Sequence, residues 1–163
     1  MFHHRVRWAT PEDAAVVAAL LHDFNTEYDA PSPGTAVLTR RLHRMLATQP
    51  VAALLAGDPA VGVALVTYRP NLWQGGLTAI LEELYVTPAL RGQRIGSALI
   101  DRLLADSSAL DVRLIEIYVD EPDRDAQRFY IRHGFSNGEP GSPDRAFLFW
   151  QEFSARPTQE ETG

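Results

Sequence analysis

A chain of 163 residues, 45% apolar and 22% charged, is about one domain long and has the composition of an ordinary folded globular protein. Its formal charge of -6 argues against nucleic acid as a partner, because phosphate neutralisation needs a concentrated basic face, and it suits a cationic substrate. Cysteine is absent, which removes disulfides, thiolate metal sites and any cysteinyl intermediate in a group transfer.

Arg5 to Ala9 reads as a short first strand, and TPED that follows is a helix start, with Thr10 at the cap, Pro11 in the first position and acids in the first turn. Val16, Val17, Leu20, Leu21 and Phe24 then recur at helical spacing, and the helix should end near Tyr28, before DAPSPG. A second helix, about Ala36 to Thr48, carries Val37, Leu38, Leu42, Met45 and Leu46 on one face and three arginines toward solvent. From Val51 the period changes. VAALLAG and VGVALVTYR are strand-like runs joined by Gly57 to Ala60, and after PNLWQGG a third run, Leu77 to Val86, completes an antiparallel meander. A helix from Gln93 to Asp106 and a strand from Val112 to Val119 imply a right-handed crossover between parallel strands. A last helix, Arg124 to His133, leads through a Gly- and Pro-rich loop to a final strand, Arg145 to Phe153. Residues 1–153 thus read as a single domain, and residues 154–163 as a polar, disordered tail. No apolar run nears the roughly 20 residues of a membrane span and MFHHRVRW lacks the apolar core of a secretory signal, so a cytoplasmic protein with no membrane partner is expected.

The stretch LYVTPALRGQRIGSALI holds the densest signal. Pro88 ends the third meander strand, and Arg91 to Ser97 form a loop that becomes a helix N-terminus, where backbone N–H groups lack intrahelical partners and the helix dipole is positive. Gly92 and Gly96 allow a phosphate to approach the backbone, and Arg91 and Arg94 add charge. Taken alone, such a loop is as well explained by a glycine that makes the turn and arginines that are solvated.

The whole run resembles the acetyl-CoA-binding motif of the GNAT superfamily of N-acetyltransferases, strand, Val-x-Pro, then (Gln or Arg)-x-x-Gly-x-(Gly or Ala). Arg91, Gly92, Ile95 and Gly96 fall on it, while Arg94 stands where the family most often has its first motif glycine. A side chain there is accommodated if the local φ is negative. The resemblance extends over about residues 5–153. It implies a three-layer α/β/α fold with a mostly antiparallel sheet, a parallel and splayed pair of fourth and fifth strands, and about four helices. It implies acetyl-CoA as cosubstrate, no metal, and direct transfer to a primary amine of a small molecule or peptide in a ternary complex. Leu84, Tyr85 and Val86 would pair with the pantetheine arm, and Arg91, Gly92, Gln93, Arg94, Ile95, Gly96 and Ser97 would hold the diphosphate. A noncatalytic acyl-CoA-binding sensor of the same fold is the alternative, and both monomers and homodimers suit it.

Acetyl transfer to an amine wants a base, because an amine near pKa about 10.4 is protonated at neutral pH, and a donor for the departing thiolate. AQRFYIRHGF resembles the family segment in which a tyrosine points at the coenzyme sulfur, which makes Tyr130 the acid candidate and sets Phe129 beside the coenzyme. Many members have an asparagine contact where this chain has Asp123. LEELYV resembles a strand of diamine acetyltransferases whose first acid helps take the proton, so Glu82 is the base candidate and Glu83 the second. As neighbours on a strand they should face opposite sides, and burial should raise Glu82 if it serves. The connection between the first two helices sets acceptor choice in the superfamily. Here it offers Asp23, Asn25, Glu27, Tyr28 and Asp29, with Trp73 as a further aromatic, although a polar helix face would look the same. The five histidines show no metal-ligand spacing.

Overall fold

The structure is a computed structural model, described for residues 5–48, 50–138 and 147–153. In chain order it runs β1 (Val6–Trp8), α1 (Ala14–Glu27), α2 (Thr35–Thr48), β2 (Val51–Gly57), β3 (Ala60–Pro70), β4 (Leu77–Val86), α3 (Ile95–Ser107), β5 (Val112–Ile117) and α4 (Arg124–Arg132), with short 3-10 turns at Pro11–Asp13 and Pro88–Leu90. The strands form one sheet in the order β1-β2-β3-β4-β5, antiparallel throughout except for the parallel β4/β5 pair. This is the mixed α/β architecture expected from the order of the elements.

Strand alternation divides the core into two layers. Leu55, Val63 and Tyr85 point to one face and pack with Val17, Leu20, Leu21 and Leu42 of α1 and α2. Leu54, Ala64, Val66, Ala79 and Leu81 point to the other and pack with Ile95, Leu99, Ile100 and Leu103 of α3. Phe129, Tyr130 and Phe135 join this second layer, which docks α4 on the α3 side of the sheet. Because β2 and the first half of β3 are buried on both faces, they read as continuous apolar runs rather than alternating ones.

Two features of β4 position the site. The first is a bulge: Leu65 of β3 pairs with Glu83 and Val66 pairs with Leu81, so Glu82 is an extra residue with no opposite number. The second is divergence. Pairing between β4 and β5 stops at Leu81 and Ile117, whereas β4 stays paired with β3 as far as Val86. Beyond the bulge, β4 therefore has a strand on one side only, and a cleft opens on the other.

The expected final strand, Arg145 to Phe153, is not found: residues 147–153 lie in no strand, and Leu148, Phe149, Trp150 and Phe153 are exposed. An apolar run marks strand propensity, but a strand exists only where another edge hydrogen-bonds to it. The start of that segment and the tail 154–163 lie outside the described residues.

Candidate active site

The loop after β4 is a cradle made of backbone. Thr87 begins the 3-10 turn, Gly92 takes φ 76°, Arg94 takes φ 65°, and α3 starts at Ile95. The first cap bond of α3 runs from the Ala98 N–H to the Arg94 carbonyl, and the six N–H groups from Gly92 to Ser97 donate to no acceptor among the described residues. Successive orphan donors at a helix N-terminus make a concave anion site. Room is present too. A Cβ at Gly92 would meet nothing within 4 Å, and one at Gly96 would make only ordinary contacts with Phe129, from 3.5 Å, and with Val86 at 3.9 Å.

Arg94 departs from the negative φ that a side chain there would prefer. Its left-handed backbone conformation is one that glycine adopts without strain, and for an L-residue it costs roughly 1–2 kcal/mol. Arg91 is placed differently from a free phosphate ligand. Its Nη1 and Nη2 donate to the Glu27 carboxylate at 2.7 and 2.6 Å, its Nε donates to the Val86 carbonyl at 3.0 Å, and it stacks over the Tyr85 ring. Glu27 therefore ties the C-terminus of α1 to the loop, and its pKa is lowered chiefly by these bonds.

The bulge reverses the expected arrangement of the two glutamates. Leu81 and Leu84, three residues apart, pack on the same α3 layer, while Tyr85 and the Glu83 partner Leu65 belong to the α1/α2 layer. One step of alternation is lost between them, so Glu82 and Glu83 lie on the same face. Glu82 is exposed and accepts a 2.5 Å hydrogen bond from the Thr67 hydroxyl, which lies two residues along β3 from Leu65. Glu83 is half-buried, and its carboxyl is raised above the ordinary range, first by burial and then by the negative charge of Glu82. The burial expected at Glu82 thus falls on its neighbour.

Tyr130 stands on α4, on the α3 side of the open half of β4. Its ring packs edge-on against Phe129 and Phe135, and its hydroxyl is pushed up to about 12, mainly by burial, then by the charges of Asp123 and Glu83. Asp123 is committed to the backbone: its Oδ1 accepts from the Ala126 N–H at 2.9 Å and caps α4.

Residues 16–135 match the acetyltransferase (GNAT) family, a stretch that includes the cradle, the bulged strand and Tyr130. This chain belongs to the GNAT acetyltransferase family. It is 30% identical over 135 residues to the aminoalkylphosphonate N-acetyltransferase of Salmonella typhimurium, covering 80% of this chain and 83% of that protein. A crystal structure from Arthrobacter sp. FB24, assigned as an acetyltransferase, is 46% identical with a TM-score of 0.86, covering 94% of this chain and 98% of that one. A transcriptional regulator from Bacillus halodurans C-125 is 26% identical with a TM-score of 0.71, over 90% and 100% of the two chains.

The remaining candidates on the acceptor side of this GNAT acetyltransferase divide into two groups. Asp23, Glu27 and Tyr28 gather on the α1 side of β4: the two carboxylates add to burial in raising the Tyr85 hydroxyl, and Tyr28 packs edge-on against Phe24, which touches Tyr85. Asn25 instead latches the α1–α2 connection by donating to the Pro31 carbonyl at 2.9 Å, and Asp29 sits exposed in it at φ 52°. Trp73 is 91% exposed on the β3–β4 turn. It lines a concavity with Arg69, Thr78, Leu114 and Glu116 that includes none of the α1 acids. Sequence reasoning passed over Thr67, Arg69 and Glu116, which share the face of the bulged glutamates or border it. Only the strand register brings them there, and no local motif marks them. No helix among the described residues is long and apolar enough to cross a membrane.

Proposed function

We propose that this GNAT acetyltransferase moves the acetyl group of acetyl-CoA to the primary amine of a cationic small molecule or peptide, by direct attack in a ternary complex. The observation that carries the reading is the open half of β4. Beside it stand a half-buried, raised glutamate and a half-buried tyrosine that feels its charge, and the strand leads on to a cradle of unpaired N–H groups. The N–H groups of Gly92 to Ser97 suit a diphosphate, and the one-sided backbone of Leu84 to Val86 suits an extended amide-bearing arm that pairs as a strand would. Acetyl-CoA, when bound, supplies a thioester carbonyl and a sulfur that leaves as thiolate.

Glu83 takes the proton of the incoming ammonium, directly or through one water, because a raised carboxyl is a better base than an ordinary one. Tyr130, at about 12, stays protonated at neutral pH. Against a thiol near pKa about 8.5 it stabilises the leaving sulfur by donating a hydrogen bond, since outright transfer of its proton would run uphill. Asp23, Glu82 and Glu83 favour a cationic acceptor. Arg69, the arginine on β3 bordering this face, is held by Glu116 at 2.8 Å, so an acceptor with a phosphonate beside its amine, as the Salmonella relative's name implies, would have to compete for it.

Calorimetric titration with acetyl-CoA and with coenzyme A, followed by thiol release with a diamine, an aminoglycoside, an amino acid and an aminoalkylphosphonate, tests the reading. Wild type and Tyr130→Phe should bind the coenzyme alike, with kcat in the variant down by about 10² or more. Unchanged kcat would remove Tyr130 from the mechanism. Coenzyme binding without turnover of any amine would favour the noncatalytic acyl-CoA-binding alternative.

A further inference from the structure

We propose that Thr67 is a positioning residue for the base: its hydroxyl holds the Glu82 carboxylate beside that of Glu83 and so fixes a like-charged pair on one face of the β4 bulge. The inference rests on the reading of Glu83 as base and adds to it a residue that never touches substrate.

An exposed glutamate next to a half-buried one would ordinarily turn its carboxylate into water and away from its neighbour, because like charges repel and the side chain has several rotamers to choose from. Here the bulge removes the usual separation of adjacent residues to opposite faces, and the 2.5 Å bond from Thr67 Oγ1 to Glu82 Oε1 fixes the direction of the Glu82 carboxylate on that shared face. The sheet does not need that bond. Thr67 already pairs through its backbone register with Val51 of β2 and Ile80 of β4, so the hydroxyl is free to serve the carboxylate.

The surroundings leave the pair uncompensated. Opposite Glu83 on β3 stands Leu65, which carries no charge. Arg69, two residues beyond Thr67, donates to both oxygens of Glu116 at 2.8 and 2.9 Å, and Tyr118 donates to the same carboxylate at 3.4 Å. From α1, Asp23 and Glu27 reach Tyr85, and Arg91 is bound by Glu27. From α4, Tyr130 is neutral and feels the charge of Glu83. Both arginines around this face are thus taken by other carboxylates, and Glu82 acts on Glu83 as a fixed negative charge. With that charge held in place Glu83 keeps its proton to higher pH and is the stronger base above it. With Glu82 neutral or free to move away, Glu83 loses its proton at lower pH.

Two readouts on the full chain test this: the pH profile of kcat/KM, and a carbon-13 NMR titration of the Glu83 carboxyl, assigned with Glu83→Gln, which needs no acceptor. In Thr67→Val the acid limb and the NMR midpoint should both move to lower pH, and in Glu82→Gln they should move further the same way. Thr67→Ser, which keeps the hydroxyl, should restore the wild-type profile. A purely structural role for Thr67 would lower the rate at every pH and leave the midpoint where it was. An NMR midpoint unmoved in both Thr67→Val and Glu82→Gln would overturn the pairing. Normal turnover by Glu83→Gln would instead sink the base assignment on which the proposal stands, whatever the midpoint does.

Discussion

In the proposed site the loop end is built from the backbone N–H groups of Gly92 to Ser97 with little part for side chains, whereas the bulge end is built from the carboxylates of Glu82 and Glu83 and the ring of Tyr130. The difference follows from what each end must hold. An anion of fixed shape is best met by donors that the helix geometry fixes at no cost in side-chain entropy. A proton that must move needs groups whose pKa the surroundings can tune, and only side chains offer that. The loop end should therefore respond to changes in backbone freedom and added charge, and the bulge end to each carboxylate singly.

The largest effect expected at the loop end is that of Gly96→Asp. A carboxylate in the first turn of α3 competes with the phosphate for the orphan N–H groups, and coenzyme affinity should fall about tenfold or more with the circular dichroism spectrum unchanged. Gly96→Ala separates charge from size. Its Cβ meets only Phe129 and Val86 at ordinary contact distances, so affinity should stay within about threefold on calorimetry. Equal losses in the two variants would mean that closeness of the backbone, not its charge, governs the cradle.

A smaller and opposite change is expected of Glu27→Gln. The exposed pair with Arg91 adds little to stability, and breaking it frees a guanidinium beside the cradle. Coenzyme affinity should rise a few-fold at low salt and less at high salt, as titrations at two ionic strengths would reveal. Weaker binding would mean instead that Arg91 works by holding α1 against the loop. Smallest of all is Arg94→Gly, which relieves the left-handed strain and should gain up to about 1 kcal/mol in urea denaturation, because part of the relief is lost to glycine's extra freedom in the unfolded chain.

Much of the fold could be read along the chain, because its elements announce themselves locally. β4 runs from Leu77 to Val86 as the apolar run and Pro88 require, and α1 and α2 end within a residue of where their periodicity stops. α3 starts at Ile95 rather than Gln93, since Arg94 is spent as a left-handed cap. The apolar run that ends at Phe153 misled, for the reason that strand propensity is half of a pairing whose other half lies elsewhere. Of the proposed site, Tyr130 and the Gly92 to Ser97 loop lie in contiguous motifs that can be read along the chain. The engagement of Arg91 with Glu27, separated by 64 residues, was not.

The sequence by itself determined the order of strands and helices, the glycine-punctuated turn into α3 and the types of group available for proton transfer, because each depends on neighbours a few residues away. Tertiary structure alone decided which of two adjacent glutamates is half-buried and raised. LEELYV carries no glycine or proline to mark a bulge, and the extra residue appears only when β4 is laid against the register of β3. That register also brings Thr67 to Glu82, and the early end of the β4/β5 ladder leaves the second half of β4 unpaired on that side.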